Sequence, residues 1–418
     1  MIAARRVAYL VKRFPRLSET FVLNEFLEVR QNGSELRLYA LLDPGERVVH
    51  PEALQLVPEV GYLNLSGRPW RSRWRLLRGA AAQAATRPAG LARVLLALLT
   101  VHRSIPSVRH AVEGLWLARE LRKRNVTHLH AHFAHSPAAV AYLCRLAGGP
   151  PFSFSAHAKD LYTTLPRNLR IRASAACFVV TCTESNGRYL RELLADDAEV
   201  PVHVVHHGTD LKRFHPAARR PEAGLIVSVG RLVPKKGYTI LLEALCRVAS
   251  AGDDFRFEVY GGGPQRDDLE TMADRLRLNG RVRFHGARPS NDIAAAYARA
   301  ALFVLAPLIL EDGDRDGIPN VLVEAMAAGV PVISTRISGI PELIEDGIDG
   351  ILVEPGDTEA LTAAIARLLD DTALAAQLAL AGRRKVERHF DLVTNSRAIC
   401  ALLAGRHLSP RLSAGTRA

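Results

Sequence analysis

The sequence predicts an α/β fold made of two doubly wound parallel-sheet domains in series, and three observations predict it. At 418 residues the chain exceeds one ordinary core and suits two domains of roughly 200 residues each. Short apolar runs alternate with helix-period segments in both halves, the rhythm of a parallel sheet with crossover helices. Near His215 that alternation breaks into HPAARRPEAG, polar and carrying two prolines, and a second series starts at Leu225.

Taken in order, residues 5–11 read as a buried strand. Ser18 then caps a helix in which Leu17 and Val22 form a hydrophobic staple and which Gly33 closes. Residues 35–43 form the next strand. Beyond a basic insertion at about 60–112 come a strand at 127–133, a helix at 137–146 and strands at 152–156, 177–182 and 202–206. The second half reads as strand 225–229, a helix from Tyr238, strand 255–260, a helix from Gln265, strand 282–285, a helix from Asn291 and strand 301–306. A helix from Pro319, strands 330–334 and 351–353 and terminal helices complete it. The expected domains are 1–215 and 216–390, with 391–418 a helix returning to the first domain and a polar tail.

Composition narrows the class. Apolar residues at 48% and charged residues at 23%, with no low-complexity tract, describe a folded enzyme. The cysteines Cys144, Cys177, Cys182, Cys246 and Cys400 are odd in number and scattered, so neither a disulfide frame nor a zinc site is expected and a reducing cytoplasm fits best. The N-terminus lacks an extended apolar core and a cleavage site, so no signal peptide is expected. The longest apolar run, 91–101, is interrupted by Arg93 and falls well short of the ~20 residues that span a bilayer.

The net charge of +12 is unevenly spread. Between Val60 and Val112 there is no Asp or Glu, yet Arg68, Arg71, Arg73, Arg75, Arg78, Arg87, Arg93, Arg103 and Arg109 stand there with Trp70 and Trp74. Such a segment is either a solvated basic face or a contact with an anionic membrane surface. No base-reading pattern supports nucleic acid.

The chemistry concentrates in DGDRDGIPNVLVEAMAAGVPVIST, residues 312–335. Pro319 suits a helix's first turn, and the amides of Ile318, Asn320 and Val321 then form a positive end fit for a diphosphate. Glu324, about a turn and a half inside, reaches a ribose diol. Asp316, with Gly317 after it, lies in the preceding loop and faces a sugar. Asp312, Asp314, Asp316 and Gly317 also mimic the start of a calcium loop, but its twelfth position is Val323, so calcium is not expected. In VGRLVPKKG, residues 229–237, Arg231 and Lys236 leave one strand-to-helix turn beside Gly230 and set two positive charges on a diphosphate leaving group. Gly261, Gly262 and Gly263 let a flat base approach the backbone, and Arg288 helps hold it.

These segments, with YGGGPQRDDLE and FHGARPSNDI between them, resemble the donor domain of the retaining glycosyltransferase family 4, whose signature is E-x7-E. Here the pattern is D-x7-E, with Asp316 in place of the first Glu. RFPRLSETFVLNEF, HLHAHFAHSPAAVA and FSFSAHAKDLY are similar to a subgroup associated with colanic-acid-like exopolysaccharide assembly. The resemblance implies a GT-B fold, two Rossmann-like domains facing across a cleft, a UDP- or GDP-sugar donor and a lipid-linked or polysaccharide acceptor. It further implies substitution with retention, no metal and a cytoplasmic enzyme, peripheral at most at the inner face of the cell membrane. By it His157 takes an acceptor-side position near the donor sugar; Arg16, Ser18 and Glu19, at the first strand–helix turn, and His132 are expected to line the acceptor pocket.

His128, His130, His132 and His135 share a strand and its end, but no carboxylate or cysteine is spaced in sequence to complete a metal shell. Three rivals remain in view. A nucleotide-sugar epimerase needs extra acid–base carboxylates; a nicotinamide oxidoreductase needs a G-x-G-x-x-G that the triplet at Gly261 does not make; a non-catalytic nucleotide-sugar-binding module is motivated by Asp316.

Overall fold

The computed structural model describes residues 6–33, 35–46, 48–63, 70–100, 105–195, 200–216 and 219–406. The side chains of Arg68, Trp70, Arg71 and Arg103 and the tail 407–418 lie outside them. The chain forms two compact units. The first comprises 1–182, 186–205 and 396–418, the second 183–185 and 206–395.

The first unit holds a seven-stranded parallel sheet. Its strands are β1 (Arg6–Arg13), β2 (Glu35–Leu42), β3 (Gly61–Tyr62), β4 (His128–His132), β5 (Phe152–Ala156), β6 (Val179–Thr181) and β7 (Val202–Val204), ordered β3-β2-β1-β4-β5-β6-β7. The two-residue β3 escapes a periodicity argument because it is too short to show a period. One face of the sheet presents Ala8, Leu10, Leu129, Ala131, Phe152 and Phe154 to a large apolar core. The other presents Val7, Tyr9 and Val11 to the helix Thr20–Gln31 and to Ala398, Ile399, Leu402 and Leu403 of the last helix, Leu392–Leu403.

The second unit holds a six-stranded parallel sheet. It consists of β8 (Leu225–Val229), β9 (Arg256–Tyr260), β10 (Val282–Gly286), β11 (Leu302–Val304), β12 (Val332–Thr335) and β13 (Ile351–Val353), ordered β10-β9-β8-β11-β12-β13. Its central strands are buried on both faces, which is why LIVSV and VIST read as near-continuous apolar runs. Both sheets therefore have a doubly wound, Rossmann-like order. Each reverses its order once, between β1 and β4 in the first unit and between β8 and β11 in the second, and open α/β sheets bind ligands at the carboxyl ends beside such a reversal.

Two local expectations are corrected. Ser18 does not cap the first helix: the helix starts at Thr20 with Glu19 as N-cap and no side-chain cap bond. The turn is held instead by Glu46, whose carboxylate accepts from Leu17 N at 2.8 Å and Arg16 Nε at 3.1 Å. Pro319 is the N-cap of the helix Asn320–Ala327, with extended backbone (φ −62°, ψ 122°), one place before the expected first turn. Among the described residues no helix is long and apolar enough to cross a membrane.

Candidate functional site

In the second unit two loops leave the carboxyl ends at the reversal, 230–237 after β8 and 305–319 after β11. The first carries a 3-10 turn, Pro234–Lys236, closed by Gly237 in the left-handed region (φ 68°). A Cβ on Gly237 would lie 1.8 Å from the Ala306 carbonyl oxygen, so only glycine lets the two loops touch. Arg231 is exposed on the first loop, and the methylenes of Lys236 run past Gly230.

The loops are joined by charge. Lys236 Nζ meets Asp316 Oδ2 at 2.6 Å. Lys235, which sequence reasoning passed over, is buried and spends its three donors on Asp314 Oδ1 at 2.9 Å, Asp316 Oδ1 at 3.2 Å and the Arg315 carbonyl at 3.2 Å. Burial alone would raise the Asp316 carboxyl, but the adjacent Lys236 and Lys235 charges outweigh it and hold it down to about 2. The signal for Lys235 and Asp314 was present as two adjacent lysines and a D-x-D, yet neither pattern says which lysine turns inward.

Gly317 and Ile318 lead from Asp316 to the start of the helix Asn320–Ala327, where first-turn amides make a positive end. Asn320 Oδ1 lies 3.3 Å from His207 Nδ1. One turn in, the half-buried Glu324 has Tyr297 Oη at 3.5 Å, a hydroxyl that also donates to the Val321 carbonyl at 3.1 Å. Burial pushes the Glu324 carboxyl up to about 7, against the Tyr297 hydrogen bond and the Arg213 charge. The two carboxylates of D-x7-E thus sit in opposite electrostatic settings.

The glycine triplet after β9 is bound to its neighbours. Leu232 N donates to Gly262 O at 3.0 Å, Gln265 N to Leu232 O at 3.2 Å and Gly261 N to Gly286 O at 2.9 Å. A Cβ on Gly263 would stand 2.3 Å from Leu232 O, whereas one on Gly262 meets nothing closer than Ala287 Cβ at 3.9 Å. Gly263 is thus required by protein backbone, and Gly262 is the position with room beside it. Arg288 is exposed, with Nε donating to the His285 carbonyl at 3.2 Å.

In the first unit the corresponding ends carry imidazoles and aromatic rings. The parallel register pairs Tyr9 with His130, His130 with Ser153 and His132 with Ser155, placing His128, His130 and His132 on one buried face. His128 Nε2 and His130 Nδ1 meet Ser153 Oγ at 2.7 and 2.8 Å, and His130 Nε2 meets Ser155 Oγ at 3.0 Å. His132 Nε2 lies 3.2 Å from Glu25 Oε1, which also accepts from Tyr9 Oη at 2.9 Å. Burial would raise Glu25, but the charge and hydrogen bond of His132 hold it down to about 2. This corrects the spacing argument on metals: Glu25, from the first helix, brings a carboxylate oxygen within 4.8 Å of ring nitrogens of His130 and His132. Sequence separation hid it.

His157 follows β5 as the N-cap of the helix Ala158–Thr163, with its ring 4.9 Å from Phe21 and from Phe133 and stacked on His132 at 6.0 Å. Its backbone N donates to Asp160 Oδ1 at 3.0 Å, while Ala134 N donates to Asp160 Oδ2. Arg172 Nη1 donates to the carbonyls of Ala134 and His135, at 2.7 and 3.2 Å. Burial pushes Asp160 up to about 7 despite the bonds from Ala134 and His157. Asp160 and Arg172, also passed over, pin the turn that holds Phe133 at φ 80° against His157. At the β1 end Arg16 Nη1 pairs with Glu19 Oε1 at 3.3 Å.

Known proteins resemble this chain in sequence and in fold. Residues 223–371 fit the family model described as glycosyl transferases group 1. The chain is 37% identical over 204 residues to the protein WcaL of Salmonella typhimurium, named for colanic acid biosynthesis, covering 48% of this chain and 50% of that one. It is 32% identical over 286 residues to a GDP-mannose-dependent alpha-(1-6)-phosphatidylinositol monomannoside mannosyltransferase of Mycolicibacterium smegmatis, covering 64% of this chain and 74% of that one. The chain thus spans about half the length of WcaL and about three quarters of the mannosyltransferase. Among solved structures, Anabaena HepE in complex with UDP and glucose superposes with a TM-score of 0.70 at 17% identity, over 96% of this chain and 100% of that one.

Proposed function

The chain belongs to the group 1 glycosyltransferases, and from that premise we propose that it is a retaining transferase of family 4 that moves a sugar from a UDP- or GDP-sugar to a lipid-linked or polysaccharide acceptor in exopolysaccharide or cell-envelope synthesis. One observation carries the reading. At the order reversal of the second sheet, Arg231 and Lys236 share a turn that an ion pair ties to the loop opening the helix Asn320–Ala327. Fixed cations beside a helix start are suited to a diphosphate, and they stabilise it as the bond to the sugar breaks.

In this proposal Arg231 and Lys236 neutralise the departing nucleotide diphosphate, and the amides of Ile318, Asn320 and Val321 around the Pro319 turn bind it. Glu324 accepts from the ribose diol, and Asp316 with Gly317 borders the sugar. Gly230, Gly262 and Arg288 flank the base, with Gly263 fixing their loop. The acceptor hydroxyl attacks the face the nucleotide leaves, and the leaving phosphate takes its proton, so no dedicated base is required. We assign acceptor binding to the first unit, through His157, His132, Arg16, Ser18 and Glu19. No metal or other cofactor enters the scheme. The donor is an intracellular metabolite, which puts the reaction in the cytoplasm, at the inner face of the cell membrane where a lipid-linked acceptor is presented.

The test is a thermal-shift screen of the whole chain against UDP, GDP, ADP and their sugars, with and without EDTA. Stabilisation by one nucleotide that survives EDTA and vanishes in Glu324→Ala is the expected result and names the base. Donor binding without transfer or hydrolysis would favour the binding-module reading, for which the lysine-tied Asp316 is the specific observation. No response to any nucleotide would sink both.

A further inference from the structure

The basic segment of the first unit is absorbed by neither the donor loops nor the histidine row. Thirteen large apolar side chains stand exposed among the described residues, and six fall between positions 74 and 108. They are Trp74, Leu77, Leu95, Leu96, Leu99 and Val108, from 43 to 68% exposed. They lie on three consecutive helices that pack on one another, Trp70–Thr86, Pro88–Thr100 and Ile105–Lys123. The opposite sides of these helices are already used, since Ala80, Val94, Ala97, Ala111 and Leu115 enter the core of the first unit. The helix Pro88–Thr100 is therefore apolar on two sides, Val94 and Ala97 inward and Leu95, Leu96 and Leu99 outward. A helix of a water-facing surface carries polar residues on its outer side, and a contiguous apolar patch marks a binding surface.

The charge around the patch says what binds. Arg73, Arg75, Arg78 and Arg93 are exposed on the same two helices and Arg87 is exposed at the junction between them, and no carboxylate pairs with them among the described residues. Residues 60–112 contain no Asp or Glu at all. A second copy docking by this face would set arginines against arginines with nothing to neutralise them. An anionic lipid surface answers both features, because its phosphates pair with the guanidinium groups while leucines and tryptophan enter the acyl boundary.

We propose that the outer face of the helices Trp70–Thr86 and Pro88–Thr100 docks on an anionic lipid surface, with Trp74, Leu77, Leu95, Leu96 and Leu99 inserted and the five arginines on lipid phosphates. The inference rests on neither the donor nor the acceptor assigned above. Its test is flotation of the full chain with phosphatidylcholine vesicles, with and without phosphatidylglycerol. At low salt, binding to the anionic vesicles should exceed binding to the neutral ones by about tenfold or more and fall as salt rises. The double variants Arg73→Glu/Arg78→Glu and Leu96→Ser/Leu99→Ser should each lower partitioning by about tenfold while melting like the parent chain. Tryptophan emission should shift to the blue on anionic vesicles, and Trp74→Phe should abolish most of that shift. Equal binding to both vesicle types, no binding to either, or binding indifferent to both double variants would overturn the proposal. So would a dimer in solution that Leu96→Ser/Leu99→Ser dissolves, which would assign the face to a second copy.

Discussion

The two units wind their sheets in the same order and place their candidate site side chains near the same kind of reversal, yet they arm it differently. In the second unit the loops are tied by fixed charge, Lys236 and Lys235 on Asp316 with Lys235 also on Asp314. In the first, a buried row of histidines runs along β4, threaded by Ser153, Ser155, Tyr9 and Glu25, and His157 sits among aromatic rings beyond β5. Permanent cations suit the transient anion of a leaving diphosphate. Imidazoles and rings suit neutral hydroxyls and sugar faces, and burial pushes His130 well below the ordinary imidazole range and His135 down to about 3. The same topology thus supplies a charge clamp in one unit and a row of buried imidazoles around one carboxylate in the other.

The comparison breaks most visibly at Lys235. Lys235→Met leaves Asp314 buried without its cation and should cost about 3–5 kcal/mol in a denaturant melt. Lys236→Met should cost far less stability, because Asp316 keeps Lys235. It should instead lower kcat/KM by about 100-fold through lost stabilisation of the leaving group. If the two variants exchanged these phenotypes, the division between a structural and a functional lysine would be wrong.

Titration sharpens the contrast next. Glu25 and Asp316 are held at about 2, so their contribution to stability is present above the ordinary carboxylate range and is lost as pH falls from about 4 to about 2. Glu324 and Asp160 are raised to about 7, so the folded state holds their protons more tightly, and stability declines as pH rises from about 4 to about 7. Glu324→Gln should flatten part of that decline, by no more than about 3 kcal/mol. Donor affinity, which needs the ionised carboxylate to accept from the ribose, should rise through pH 7 in the parent chain and lose that rise in Glu324→Gln. Denaturant midpoints and nucleotide titrations across pH 4 to 8 read both. The smallest effect lies in the glycine triplet. Gly263→Ala should destabilise by about 1–2 kcal/mol, because its Cβ meets Leu232 O, and Gly262→Ala by less than about 0.5 kcal/mol. If Gly262→Ala nevertheless weakens nucleotide stabilisation, the open space beside it belongs to the base.

Periodicity and turn chemistry carried most of the fold. Strands 152–156, 225–229 and 351–353 are found at their expected bounds, because buried parallel strands flanked by glycine or polar turns leave little freedom of interpretation. Ser18 failed as a cap because a residue 28 positions away, Glu46, bonds the amide of Leu17 and holds the turn. In the site, the order of VGRLVPKKG and DGIPNVLVEAM was legible, and so was the chemistry of a cation turn followed by a helix start. That Lys235 points inward and Lys236 lies along Gly230 was not, since a 3-10 turn sends neighbouring side chains different ways and only the position of Asp314 selects between them.

The sequence by itself determined two doubly wound parallel sheets, the loops that carry their candidate site residues, and an acid-free basic stretch. Each of these is written in spacing along one element or in composition. Only the tertiary structure decided that Glu25 joins the histidine row, that Asp160 pins His157 and Ala134 together, and that two carboxylates eight positions apart titrate in opposite directions. Those depend on burial and on partners brought from distant elements, and both set the electrostatic cost of a charge without leaving a local trace in the order of residues.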